Sequence, residues 1–203
     1  MNGKLWLATG LLVALTTGAA FAQDTKPQQP QMSPAEMAAM QAMMKAMTPG
    51  AEHKAMDGMA GTFDVKVTSW MQPGQPPNVS TGTSETHWIL GNRYLEQTFT
   101  GNFMGMPFHG LGHTGYDNVK KQYWSTWMDD FSTGVMTSTG TVSSDGKSWN
   151  FSGTSSDPMT GKDSRADSKI TVTDHDHYSM EMWGAGPDGK MYKMMEIAYS
   201  RKK

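Results

Sequence analysis

The sequence predicts an all-β protein, an antiparallel meander of about ten strands closing into a barrel, with a short methionine-rich helix in front of it. Three observations predict this. Beyond Gly61 the apolar residues recur with period two. Turn signals interrupt that pattern every ten residues or so. Gly91-Asn92, Asp145-Gly146 and Asp188-Gly189 fall where tight hairpins need residues tolerant of positive φ.

The strands are expected near 62–71, 80–90, 93–100, 109–116, 122–128, 135–142, 148–154, 163–173, 177–183 and 191–200. Every connection is short, so neighbours in sequence should pair antiparallel. A meander of this length usually closes on itself, because closure removes the edges that invite aggregation. A calycin/lipocalin-like barrel is therefore expected, with a β-sandwich as the alternative. Ahead of it, Ser33-Pro34-Ala35-Glu36 combines an N-cap serine, a proline at the first helical position and a glutamate placed for a capping box. That predicts a helix over 34–47, stopped by Pro49-Gly50 and followed by a shorter helical turn over 51–59.

Composition excludes several functions. Among 203 residues, 17 Lys and Arg stand against 19 Asp and Glu, for a net charge of -2, with no clustered basic face for nucleic acid. Zero cysteines rule out disulfides, a cysteine nucleophile and a lipidated cysteine. Lys4, the mostly apolar run 5–15 and Ala20-Phe21-Ala22 have the form of a secretory signal cleaved after Ala22. The expected product is periplasmic or secreted, with no membrane span in the mature chain, since the apolar run is shorter than the ~20 residues a helical span needs. Residues 23–31 read as a flexible spacer. The organisation expected is a signal peptide (1–22), a spacer with the Met-rich helix (23–48) and a barrel domain (49–203).

Two groups of residues could carry function. Aromatic side chains alternating along the strands could line a pocket for a small, largely apolar ligand: Trp88, Tyr94, Phe108, Tyr116, Trp124 and Trp127, with Arg93 placed to orient an anionic headgroup and Arg165 as a second cation. The same rings could instead simply fill the interior. His109 and His113, four apart on one strand face, could join His87 in a three-imidazole site for zinc, copper or haem iron, although the spacing is not diagnostic. Asp174-His175-Asp176-His177 reads as a polar hairpin loop, and Asp129-Asp130 as a loop rather than an acid pair. Met37, Met40 and Met43, with Met44 and Met47, and His53 with Met56 and Met59, repeat a spacing whose thioethers suit Cu(I) or Ag(I), but any apolar helix face needs that spacing too. A helix that binds a protein partner or caps the barrel is the preferred reading. The sequence has no serine-hydrolase elbow, phosphate loop or dinucleotide fingerprint. It names no cofactor, and a binding protein is expected ahead of an enzyme.

Glu52-His53, Gly61-Thr62-Phe63, the run from Trp88 to Leu95, Gly105-Met106-Pro107-Phe108 and Gly115-Tyr116-Asp117-Asn118 resemble a group of bacterial exported proteins, domain of unknown function 1579. Trp127-Met128-Asp129, Ser132-Thr133-Gly134, the run from Asp157 to Lys162 and Met195-Glu196 extend the resemblance over about 49–201. It implies that the barrel region is one unit, and it implies no activity.

Overall fold

The computed structural model describes residues 32–157 and 160–203. The signal and spacer expected over 1–31 lie outside these residues. Ten antiparallel strands follow one another: β1 (Gly61–Ser69), β2 (Asn78–Ile89), β3 (Tyr94–Phe103), β4 (Met106–Asp117), β5 (Gln122–Asp129), β6 (Met136–Val142), β7 (Ser148–Asp157), β8 (Lys162–Val172), β9 (His177–Ala185) and β10 (Met191–Arg201). Each pairs with its sequence neighbour, and β10 pairs back onto β1 from Phe63↔Arg201 to Ser69↔Met195, closing the barrel. The sandwich alternative is excluded.

The strands differ most from expectation at β3–β4, where the expected strands stop at 100 and resume at 109. The ladder instead continues to Phe103↔Met106. Met104 and Gly105 make a two-residue turn with φ of 52° and 81°, the double positive φ that matches strand twist in a tight hairpin. Gly101 is needed inside β3 rather than in a loop. Its missing Cβ leaves room for the Phe99 ring, which also covers Gly82 across the β2–β3 pair.

The chain enters the barrel through a plug. α2 (Ala51–Lys54) and a 3-10 turn (Asp57–Met59) carry Met56 and Met59 into one end, where they pack on Leu95, Tyr123, Trp149 and Phe151. Met56 is fully buried. Polar contacts lock the plug in place: Tyr123 donates to the Glu52 carbonyl (3.1 Å), Trp88 Nε1 to Asp57 (3.0 Å), and Arg201 to the carbonyls of Ala60 (2.8 Å) and Gly58 (3.2 Å). His53 Nδ1 accepts from the Gly50 amide at 3.1 Å, and burial holds its pKa below the usual histidine value, so the plug favours the neutral imidazole.

Above the plug lies a second layer of Phe63, Val65, Val67, Phe99, Tyr178 and Tyr199. The Tyr178 and Tyr199 rings stack 4.0 Å apart. Gln97 donates to Ser84 Oγ at 2.8 Å beside them. Burial pushes the Tyr199 phenol up to about 12 and raises Tyr178 well above the ordinary tyrosine value.

α1 (Pro34–Met47) forms with the expected capping box: the Ser33 amide donates to Glu36 Oε2 (2.7 Å) and the Glu36 amide to Ser33 Oγ (3.3 Å). It buries no residue. Only its C-terminal end is held, by Arg93 donating to the Met47 carbonyl (2.8 Å) and Asn118 to those of Ala46 (3.1 Å) and Thr48 (2.8 Å). These helix-end carbonyls have no partner within the helix, which explains why polar side chains suffice to hold it. The helix is attached at the plugged end of the barrel.

Two measurements check this description. An unfolded tyrosine ionises near pH 10. The stabilisation from keeping Tyr199 neutral is therefore complete below about pH 10 and lost as pH rises through the folded value near 12. Absorbance at 295 nm should show tyrosine resisting ionisation above pH 10 until the barrel unfolds, and the urea midpoint should fall between pH 10 and 12. A chain shortened to begin at Pro49 should keep its β-type circular dichroism and lose no more than about 2 kcal/mol in urea unfolding, because α1 contributes no buried residue to the core. Loss of cooperative unfolding would place α1 in the core.

Candidate functional site

The plug fills one end of the barrel, and the other end holds a cavity of about 430 Å³. The strand pleat decides which side chains reach it. On β5 the odd positions Tyr123, Ser125, Trp127 and Asp129 point inward. On β4 the even positions Phe108, Gly110, Gly112 and Thr114 do so, and a slip of one residue would exchange these faces. Gly110 and Gly112 are required here. A Cβ on either would run into the Trp127 indole, which lies flat along the β4 wall. The indole Nε1 donates to Asp129 Oδ2 at 2.9 Å, and Asp129 Oδ1 accepts the Phe131 amide at 3.1 Å.

The cavity wall is mainly apolar. Phe103, Phe108 and Phe131 meet at its outer end with ring centroids 5.5–6.2 Å apart. Met180, Met182, Met195 and Ile197 of β9 and β10 line the opposite side, and Met136 lies beside Trp127 on β6. Its volume comes from serine at inward positions, Ser80, Ser125, Ser155 and Ser168, where larger residues would close it. At its inner end Gln97 and Tyr199 present an amide and a buried phenol, the polar groups that could fix a ligand's orientation. Asp129 is the one charged side chain among the described residues that line it.

Of the aromatic set read from sequence, Phe108 and Trp127 line the cavity. Tyr116 faces inward but belongs to the plug, its ring 4.8 Å from Tyr123 and 5.9 Å from His53. Trp88 bonds Asp57 in the same plug. Tyr94 and Trp124 are outside: they meet over the outward face of Gly115, with ring centroids 5.6 Å apart. Neither arginine orients a headgroup in the cavity. Arg93 tethers α1, and Arg165 pairs with Asp167 at 2.8 Å on the outer wall.

The structure does not bring the three histidines together. His87 and His113 lie on the outer surface on either side of Glu96, at 3.4 and 3.1 Å from its two oxygens. This follows from the register, in which Glu96 opposes both. His109 shares the outward face of β4 with His113, as the spacing implied, but pairs with Asp130 at 2.9 Å nearer the open end. Among the described residues no group of three or more His, Asp or Glu side chains is arranged to hold a metal ion. Residues 174–176 form the turn into β9, where His177 pairs with Asp174 (2.9 Å), His175 with Asp176 (2.8 Å), and Arg201 donates to the His175 carbonyl (3.0 Å). Asp129, read from sequence as part of a loop, ends β5 and faces the cavity.

Sequence reasoning missed Gln97, Tyr199 and the methionine wall. Met180 and Met182 carried a period-two signal around the outward Glu181. On β10 the register shifts between Lys193 and Met195, and beyond that shift Met195, Ile197 and Tyr199 alternate without interruption, the same period-two signal.

Comparison with known proteins bears on fold and family. The structure of Rv2717c from M. tuberculosis superposes with a TM-score of 0.59 at 14% identity, covering 77% of this chain and all of that one. A de novo designed fluorescence-activating β-barrel gives a TM-score of 0.42 at 14% identity, covering 73% of this chain and 97% of that one. A barrel described as EF1p2_mFAP2b bound to DFHBI gives the same score and identity, covering 75% and 100%. At 0.42 these two supply no functional argument. No curated protein is a significant match to the sequence. The sequence profile of the DUF1579 proteins, described as proteins of unknown function, matches residues 48–201, from the end of the helical leader to the last residue of β10, and the chain belongs to that family.

Proposed function

We propose that this is an exported barrel that binds a small, largely apolar ligand in its cavity. One observation carries the reading: a hollow of about 430 Å³, walled by phenylalanine and methionine, with Gln97 and Tyr199 at its inner end. Ligand sites are typically ~300–1,000 Å³, mostly apolar, with a few placed polar groups. Methionine walls suit such a ligand because the unbranched thioether adapts to different shapes. The histidines first considered as ligands lie on the outer wall, paired with carboxylates, so no observation favours the cavity as a metal or haem pocket. Export rests on the signal-like residues 1–22.

An apolar fluorescent probe should bind with one-to-one stoichiometry and quench Trp127, which lines the cavity. Met182→Trp, which fills the hollow from the β9 wall, should abolish that binding while the β-type circular dichroism persists. Lack of saturable binding across several probes would sink the reading. For export, the mature protein recovered from the producing cell should begin at Gln23 and lie outside the cytoplasm. Recovery of the chain with Met1 intact from the cytoplasm would refute that part alone.

A further inference from the structure

We propose that the ligand is an amphiphilic organic cation, its positive group held at the cavity mouth between Asp129 and the rings of Phe103, Phe108 and Phe131, its apolar tail among the methionines. The inference rests on the reading of the cavity as a ligand site. It starts from the sign of the charge inside. Among the described residues that line the cavity there is no lysine, arginine or histidine, and the one charged side chain is Asp129. Cations at the same end of the barrel are engaged elsewhere or stand aside. Lys193 bonds Glu196 (2.7 Å) and Glu181 (3.1 Å), Lys190 pairs with Asp188 (3.6 Å), and Lys162, which opens β8, does not line the cavity. A fatty acid would therefore lose water from its carboxylate with no positive partner, an expensive burial.

A cation meets the opposite situation. Each Asp129 oxygen accepts one hydrogen bond, from Trp127 Nε1 and from the Phe131 amide, and a carboxylate oxygen can accept about two. Those two bonds fix the carboxylate against the wall that the aromatic rings share. The three phenylalanines contact one another, at 6.2 Å (Phe103–Phe108), 5.6 Å (Phe103–Phe131) and 5.5 Å (Phe108–Phe131), and so gather three rings in one small region. Ring faces attract cations through their quadrupole, and sets of them are a recurrent device for binding ammonium groups. The protein's overall charge of -2 is too small to produce the same selectivity by itself.

The test is displacement of the neutral dye Nile red by three twelve-carbon amphiphiles below their micelle concentrations: dodecyltrimethylammonium, dodecanol and dodecanoate. The cation should bind at least tenfold more tightly than dodecanoate and measurably more tightly than dodecanol. Asp129→Asn keeps an acceptor for the Trp127 indole while removing the charge. It should weaken the cation at least fivefold and leave dodecanol within twofold. Phe131→Leu, at a half-exposed position outside the core, should also weaken the cation selectively, and it keeps the test decisive if Asp129→Asn does not fold. Equal binding of all three amphiphiles, a preference for dodecanoate, or a cation affinity unmoved by either variant overturns this inference and leaves the cavity reading standing. Failure of Nile red itself to bind saturably overturns both.

Discussion

Pairing of β1 with β10 is the constraint on which the rest of the molecule depends. Seven residue pairs join two segments from opposite ends of the described body, and they convert a meander into a closed wall with an inside and an outside. Once the wall is closed, the pleat assigns every strand residue to one side, and register leaves little freedom. The joint is also where the plug is fastened. Arg201, the last residue of β10, opposes Phe63, lies 4.5 Å from its ring centroid and donates to the carbonyls of Gly58 and Ala60. Closure of the barrel and sealing of one end thus share Arg201, while Tyr123 and Trp88 hold the plug from β5 and β2.

Where the barrel is solid and where it is hollow follows from side-chain size at inward positions. Toward the plug the inward set is Leu95, Tyr123, Trp149 and Phe151, packed on two methionines. Toward the mouth, serines occur at inward positions, and no segment among the described residues plugs that side. Glycine shapes the wall between these regions. Phe99 takes the room left by Gly82 and Gly101, and Trp127 the room left by Gly110 and Gly112. The largest rings are laid against the wall, so that they line the hollow instead of crossing it.

Much of this was legible in the sequence. All ten strands stand where period two and turn residues put them, and the capping box at Ser33 and Glu36 forms as read. Periodicity reports which residues share a face but not which face is the inside, and it has no information on depth along the barrel axis. Trp124 and Trp127 look equivalent as strand tryptophans, yet odd and even positions on β5 send one out over Gly115 and the other into the cavity. Tyr116 is inward as expected, but its height in the barrel places it in the plug. Arg93 could not be recognised as a helix tether, because its partner is the backbone carbonyl of Met47, 46 residues earlier. The polar lining was obscured for a related reason: Gln97 and Tyr199 lie 102 positions apart and converge only through closure.

The polar content of the interior bears on why the barrel is hollow at all. A barrel serving only as a scaffold is stabilised by filling its inward positions with aliphatic side chains, since burial contributes about 25 cal/mol per Å² of apolar surface. Ser125, Ser155 and Ser168 forgo that gain, and Gln97 adds a desolvation cost that its bond to Ser84 offsets. Ser125 is satisfied in the same way, sharing a hydrogen bond of 2.7 Å with Ser138. Such pairing keeps the hollow from being destabilising without closing it. Stability relinquished in this way is concentrated at one end of the molecule, while the plugged end is packed tightly. That asymmetry is what a binding site requires: a rigid, sealed base, and a mouth whose walls are held apart by the covalent geometry of the sheet rather than by side chains meeting across it.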